Sequence, residues 1–139
     1  KQVLDNEGLA IVAFDADVSS WNTIESKRLQ NLKRKYDKNK RVILCDSMPS
    51  VEFWFLIHFI NTNKYYGTSK AVINELIKHI PKFDKTESFL SSPKWVEEMC
   101  KEGKFEKAYS RAQKLGMNGE SYSNIWKAIE YLDIFTIDK

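Results

Sequence analysis

The chain has 139 residues, a length that suits one domain with a sizeable hydrophobic core. Hydrophobic residues make up 42% and charged residues 29% of the sequence, a balance that excludes an intrinsically disordered chain. The net charge of +3 is too small to indicate nucleic-acid binding by itself, so the distribution of the charges along the chain matters more.

No part of the sequence resembles a membrane span or a secretory leader. The longest apolar run, residues 51–60, is too short to cross a bilayer and contains Glu52 and His58. Cys45 and Cys100 lie far apart and match no metal-binding spacing, so we interpret them as reduced thiols of an intracellular protein. We therefore expect a soluble, cytoplasmic protein without a membrane partner.

A strand, a helix and a second strand are predicted in the first third of the chain. Residues 8–14 are apolar up to Asp15, which indicates a fully buried strand of the kind found in parallel sheets. Residues 20–38 have apolar side chains at helical spacing, and residues 41–46 form a second apolar run. A helix of this length permits a right-handed crossover, so the two strands should be parallel neighbours. The apolar positions of this predicted helix are Trp21, Ile24, Leu29, Leu32 and Tyr36.

A long apolar block follows the second strand. Ser47, Pro49 and Glu52 are typical of a helix start. The residues that follow are almost wholly apolar, which predicts a helix buried on most sides. A strand is the alternative, because the block is rich in aromatic residues.

The rest of the chain is predicted to be mainly helical. Residues 61–67 are predicted as a polar loop and residues 82–92 as a loop or short turn. Pro81 and Gly116 are each predicted to end a helix. We thus expect one α/β domain over residues 1–139, with an α-rich C-terminal half. The helices are predicted at residues 69–80, 95–102, 104–115 and 123–134.

Two carboxylates, Asp15 and Asp17, end the first predicted strand. Alternate residues of a strand point the same way, and ligands bind beyond the carboxyl ends of parallel strands. Two like charges at such an edge repel each other, and a divalent cation relieves that repulsion. Oxygen ligands suit Mg²⁺ or Mn²⁺. In the alternative interpretation, Asp17 caps the following helix and Asp15 is only solvated, because a D-x-D motif alone is a weak signal.

Three classes of protein have an acidic strand edge of this type. In a haloacid-dehalogenase-type phosphatase, Asp15 would be the nucleophile, Asp17 the acid/base and Ser47 a phosphate ligand. That class needs a second acidic pair after a later strand, and the sequence predicts no such strand. Receiver domains also cluster acids around Mg²⁺. The Toprim-type metal site needs D-x-D on one strand and a Glu on an earlier strand.

Glu52 and His58 lie within the apolar block. A glutamate in the first turn of a helix is favoured by the helix dipole, and a lone histidine in an apolar run is more often a core residue than a catalyst. On a helix the two residues would be about 240° apart, at roughly 100° per residue, so they would not form one catalytic dyad.

The order of these features resembles the RloB-like family, whose genes occur in restriction-modification loci. The strand ends in "FDAD", and the later block reads "SMPSVEFWFLIHF", with Met48 where the family usually has Asn and Val51 where it has Phe. Residues 105–115, "FEKAYSRAQKL", resemble a late helix of the family, and the resemblance covers roughly residues 8–130. The matching positions of the block are Ser47, Pro49, Glu52, Trp54, Leu56, His58 and Phe59.

The resemblance implies a Toprim-like parallel-sheet core and Mg²⁺-dependent cleavage of phosphodiesters. It implies that Asp15 and Asp17 are metal ligands, and that Glu52 and His58 line the same crevice as catalytic residues that support the metal shell or transfer protons. It also implies a role in phage defence, including abortive infection, with a partner ATPase or another restriction-locus protein. A strand ending in Glu precedes the D-x-D motif in the family, and we expect this chain to lack that N-terminal segment.

A basic stretch, residues 27–41, contains eight Lys or Arg residues and one acid. Lys27, Arg34 and Lys38 align opposite the apolar positions of the predicted helix, so they could neutralise the phosphates of DNA or RNA. The alternative is an ordinary solvated helix face. Because we expect the upstream Glu to be absent from this chain, a non-catalytic nucleic-acid or protein interaction module is the alternative to a nuclease.

Overall fold

A three-stranded sheet and seven helices make up the part of the chain that this computed structural model describes, residues 9–16, 23–36, 39, 41–116 and 120–132. This mixed α/β architecture confirms the predicted class, and the finer Toprim-like assignment stays a prediction. The elements are β1 (Ala10–Asp15), α1 (Thr23–Tyr36), β2 (Val42–Met48), α2 (Glu52–Leu56), α3 (Ser69–Leu76), α4 (Glu87–Leu90), α5 (Lys94–Cys100), α6 (Lys104–Leu115), β3 (Tyr122–Ser123) and α7 (Trp126–Leu132).

The predicted β-α-β unit is confirmed. β1 and β2 are parallel neighbours, and their register sets Asp15 opposite Ser47. β3 pairs antiparallel with the other edge of β2, so the sheet is mixed rather than purely parallel. β3 was not predicted, because two residues are too few to produce a recognisable alternation of polar and apolar side chains. A helix was predicted from residue 123, and α7 begins instead at Trp126.

The prediction that β1 is fully buried is wrong. Its side chains alternate between half-buried and exposed, and Ile11 is 41% exposed. β1 is partly exposed because it is an edge strand of the described sheet, whereas β2 is the central strand. The end of β2 is correspondingly buried, at Cys45, Asp46 and Ser47.

Helix α1 contacts the sheet with part of its predicted apolar stripe. Leu29 is buried against Ala16 and Tyr122. Ile24 is 66% exposed and is not among the described residues of this cluster, so its assignment to the buried stripe is wrong. Trp21 lies outside the described residues.

The main hydrophobic core surrounds α2, which confirms the prediction of a helix buried on most sides. The helix is short and continues as turns through residues 57–59. Ala108 and Ala112 are fully buried, and their small side chains let α6 approach the core closely. Each large apolar side chain buried here contributes roughly 1.5–3 kcal/mol to folding. The buried core residues include Phe53, Trp54, Leu56, Ile57, Val72, Leu76, Phe83, Ala108, Ala112 and Ile129.

The later helices follow the predictions with local differences. α6 has the predicted bounds and ends at Gly116, whose φ is 90°. α4 lies where a loop or turn was predicted, and it is capped by Thr86, whose hydroxyl accepts the Phe89 N–H. α5 ends two residues earlier than predicted, because Glu102 and Gly103 have positive φ values and turn the chain into α6. Among the helices of the described ranges, none has both the length and the apolarity that a membrane span requires.

Candidate functional site

Asp15 lies at the carboxyl end of β1 and is half-buried. Its Oδ1 accepts a hydrogen bond of 2.8 Å from the backbone N–H of Val51, the residue that precedes α2. Within the described residues, Oδ2 of the same carboxylate has no hydrogen-bond or ion-pair partner. Asp15 therefore ties the strand end to the helix start with one oxygen and leaves the other available to a ligand.

The donor set at this edge fits one kind of metal better than another. Mg²⁺ is usually bound by one or two carboxylates together with water and substrate phosphates, whereas Zn²⁺ takes three or four protein ligands. Across the described ranges, no three His, Cys, Asp or Glu side chains lie together as a metal site would require. Asp17, the second predicted ligand, lies outside the described residues. Asp15 can thus supply one carboxylate oxygen to Mg²⁺ or Mn²⁺.

Asp46, which sequence reasoning missed, is the most heavily bonded carboxylate at the end of β2. Only 3% of it is exposed, and it lies on the sheet face opposite to Asp15, because its strand neighbour Ser47 is the register partner of Asp15. Tyr122 Oη donates to Oδ2 at 2.7 Å, and Asn124 Nδ2 donates to Oδ1 at 2.8 Å. Lys33 Nζ, from α1, lies 2.7 Å from Oδ2.

The contacts around Asp46 shift the pKa values of both Asp46 and Tyr122. Burial opposes ionisation of Asp46, but the hydrogen bonds from Lys33, Asn124 and Tyr122 outweigh it and lower the pKa of the carboxyl. Burial, together with the hydrogen bond to Asp46, raises the pKa of Tyr122. Asp46 is therefore charged and Tyr122 protonated at neutral pH, which joins α1, β2 and β3 in one network. The signal in the sequence was an acid inside an otherwise apolar strand, which is costly unless partners pair with it.

Glu52 lies in the first turn of α2, as predicted, and is buried. Its Oε1 accepts hydrogen bonds from Ser50 Oγ at 3.1 Å and Ser69 Oγ at 2.9 Å, and it lies 3.3 Å from Lys85 Nζ. Glu52 thereby links the start of α2, the start of α3 and the loop before α4. It also stands next to Val51, whose N–H is bonded to Asp15.

His58 is buried among aromatic side chains. Its Nδ1 lies 2.8 Å from the carbonyl oxygen of Trp54, and because a carbonyl only accepts, Nδ1 carries the proton of the neutral ring. The ring meets Trp54 edge-on at 4.9 Å, and its centroid lies 6.1 Å from that of Phe105. Burial lowers the pKa of His58 to about 4, against the raising effect of the bond to Trp54, so the ring is neutral at pH 7. These are the surroundings of a core histidine.

The structure brings the predicted site residues together only in part. Asp15 and Glu52 both contact the turn at Ser50 and Val51, whereas His58 has no bonding partner in common with either. The expectation that Glu52 and His58 form no direct dyad stays a prediction. Their catalytic roles stay a prediction.

The basic surface of α1 is described for two of its three predicted residues. Lys27 and Arg34 are exposed, and being seven positions apart they lie on one side of the helix, whereas Lys38 lies outside the described residues. Lys33 lies in the same basic stretch but is committed to Asp46. Among the described residues of this stretch, Lys33 is thus paired with the fold, whereas Lys27 and Arg34 are exposed.

Comparison with protein-family models gives a match to the model described as RloB-like protein, over residues 2–132. The chain belongs to the RloB-like family. Comparison with curated proteins gave no match, and comparison with solved structures gave none either. The resemblance seen in the block "SMPSVEFWFLIHF" is thus confirmed at the level of the family.

The residues that carry the RloB-like resemblance also make contacts that hold the fold of this chain together. Ser47 Oγ is 2.8 Å from Ser123 Oγ, which ties β2 to β3. Pro49 is buried and follows a cis peptide bond. Glu52 is bonded to Ser50 at the start of α2. His58 Nδ1 is bonded to the carbonyl oxygen of Trp54, and the two rings meet edge-on. The block therefore encodes the junction between the sheet edge and the core of this RloB-like chain.

Proposed function

We propose that this RloB-like chain provides the metal-binding edge of a Toprim-like, Mg²⁺-dependent nuclease domain. The observation that carries the proposal is the state of Asp15: it stands at the carboxyl end of a parallel strand, with one oxygen held by the Val51 N–H and the other directed to no described residue. Ligands bind beyond this end of the strands in open α/β sheets.

Asp15 and Asp17 would hold the Mg²⁺ or Mn²⁺, which when bound polarises a phosphoryl oxygen and activates water. The Val51 N–H keeps the Asp15 carboxylate oriented. We propose Glu52 as a positioning residue, because it holds Ser50 directly before that N–H. Proton transfer at His58 would use Nε2, since Nδ1 is committed to Trp54.

Nucleic acid is the proposed partner, and the exposed basic residues of α1 support it. Leu29 packs against Ala16, the residue after Asp15, so this part of α1 lies beside the proposed metal edge. Lys27 and Arg34 flank Leu29 along the helix and are roughly 10 Å apart along its axis. A phosphate backbone lying along α1 would therefore run past the end of β1, over the sheet face that carries Asp46. We further propose a role in phage defence, including abortive infection, with a partner ATPase or restriction-locus protein, since RloB-like genes occur in restriction-modification loci.

The test uses the full-length protein and Asp15→Asn. Asparagine keeps the Oδ1 acceptor for Val51 but removes the charge, so the variant separates metal binding from folding. Titration calorimetry with Mn²⁺ should detect binding that Asp15→Asn abolishes, and cleavage of labelled DNA and RNA strands should be lost with it. Asp84→Asn, which removes an exposed acid, is the matched control. Mn²⁺ binding or cleavage that is unchanged in Asp15→Asn contradicts the proposal.

A second candidate is a non-catalytic nucleic-acid or protein interaction module. It is favoured by Glu52 Oε1 and His58 Nδ1, which are bonded to Ser50, Ser69 and Trp54 inside the protein. Salt-dependent binding of DNA or RNA without cleavage, unaffected by Asp15→Asn, would support this candidate. Hydrolysis of a small phosphomonoester that Asp15→Asn abolishes would instead support the phosphatase hypothesis.

A further inference from the structure

A groove of about 460 Å³ lies between the end of α2, the turns after α3 and helix α5. Its volume is in the range of pockets that bind small organic ligands. Asp15, Glu52 and His58 are not among the residues that line it. The groove is therefore a separate feature from the proposed metal edge.

The walls of this groove are flat and aromatic. The rings of Phe59 and His79 are stacked, with centroids 5.0 Å apart and planes at 13°. Phe89 and Trp95 form a second stacked pair, with centroids 5.4 Å apart and planes at 27°. Met99 adds a buried apolar side chain to the lining. Such walls favour a planar ring, because aromatic side chains stack on the faces of nucleobases.

The lining also carries excess positive charge. Lys82, Lys94 and Lys104 line the groove, and the first two are exposed. The acid among the lining residues, Glu98, is paired with Lys101 at 2.7 Å, which offsets its charge. Lys104 lies 5.3 Å from the centre of the Phe59 ring, so the charge and the aromatic wall meet at one point. A ligand that complements this lining has a planar ring and an anionic group.

The geometry points to a nucleotide-binding site in this groove, which goes beyond the nuclease proposal and does not depend on it. The base stacks against the aromatic walls formed by Phe59 with His79 and Phe89 with Trp95. The phosphate is held by Lys82 and Lys94. The shared chemistry is that of one nucleotide, either free or exposed within a single strand.

The first experiment measures binding to the full-length protein by titration calorimetry in EDTA, so that a failed metal proposal does not affect the outcome. The probes are adenosine 5′-monophosphate, adenosine and ribose 5-phosphate. Adenosine 5′-monophosphate should bind with a Kd below about 1 mM. Adenosine, which lacks the phosphate, and ribose 5-phosphate, which lacks the base, should each bind about tenfold more weakly. No detectable binding of the monophosphate at about 1 mM would overturn the proposal.

A competition arm distinguishes the two sources of the nucleotide. A single-stranded oligo(dA) that displaces the monophosphate assigns the groove to nucleotides within strands. If the monophosphate binds and the strand does not displace it, the groove takes free nucleotides. Both results support a nucleotide site, since both require the monophosphate to bind.

Variants then localise the binding to the groove. Lys82→Ala combined with Lys94→Ala should weaken binding of the monophosphate about tenfold, and His79→Ala should weaken it by a smaller factor. All three side chains are exposed, so the fold should be retained. Lys70→Ala combined with Lys114→Ala removes two exposed lysines that do not line the groove and is the matched control. Equal binding by the two double variants would overturn the assignment.

Discussion

Asp15 and Asp46 stand near the carboxyl ends of neighbouring parallel strands, yet the two carboxylates are used differently. Asp46 is 3% exposed and bonded by Tyr122, Asn124 and Lys33. Asp15 is half-buried and accepts one described hydrogen bond, from Val51. The difference is that both oxygens of Asp46 are occupied by the fold, whereas one oxygen of Asp15 has no described partner. Asp46 is committed to structure, and Asp15 is the candidate for chemistry.

The largest expected effect on stability concerns Asp46, the carboxylate whose oxygens the fold occupies. Asp46→Ala should lower the free energy of unfolding by about 3 kcal/mol, because it leaves Tyr122 and Asn124 without their acceptor. The share due to Lys33 is reduced by solvent, since that side chain is 40% exposed. Urea denaturation measures the change. A loss below about 1 kcal/mol, the size of one ordinary hydrogen bond, would remove the distinction between the two acids.

His58 should give the chain a marked loss of stability in mild acid. Its pKa in the folded protein is about 4, below the ordinary value of 6.5, so the unfolded chain takes up this proton first as the pH falls. Stability should thus fall between about pH 6.5 and pH 4, by about 3 kcal/mol in total, and be independent of this group above that window.

Denaturation of His58→Gln as a function of pH tests this, because the variant should lose the slope. His79→Gln, at the other histidine of the chain, is the control and should keep it. Asp46, whose pKa is lowered from 3.8, loses its stabilising contribution only as the pH falls below that value, so the two groups act in different windows. A slope that survives in His58→Gln contradicts the assignment.

Replacing Glu52 should lower the free energy of unfolding less than replacing Asp46 and more than replacing Asp15. Glu52→Ala should cost about 2 kcal/mol, because the hydroxyls of Ser50 and Ser69 lose their acceptor. Glu52→Gln keeps an oxygen at that position and should cost less. Thermal or urea unfolding of both variants measures the difference. Equal losses would mean that the charge toward Lys85, and not the hydroxyl contacts, dominates.

Asp15 should matter little to stability. Asp15→Ala should cost about 1 kcal/mol, the effect of losing one helix-start acceptor, and Asp15→Asn should cost less because Oδ1 is retained. The same variants should abolish Mn²⁺ binding if the proposal is correct. A destabilisation as large as that of Asp46→Ala would assign Asp15 to structure instead.

The smallest effect on folding is expected on α1. Lys27→Ala combined with Arg34→Ala should leave the urea midpoint nearly unchanged, because both side chains are exposed. The dependence of log K for DNA or RNA binding on log salt should become shallower by about 2, one for each lost phosphate contact. Replacing Lys70 and Lys114 with alanine is the control, and an unchanged slope in the α1 variant would exclude α1 from the interface.

The sequence by itself determined the features that depend on near neighbours. The β-α-β order, the bounds of α6, the first-turn position of Glu52 and the family block follow from periodicity, helix-end signals and local spacing, which act over a few residues. Tertiary structure alone decided which acid is occupied. Asp46 receives two of its partners, Tyr122 and Asn124, from positions 76 and 78 residues away. β1 is partly exposed because it lies at the edge of the described sheet. The physical reason is that burial and hydrogen-bond partners depend on which distant segments come into contact when the chain folds. A local sequence pattern does not specify those long-range contacts.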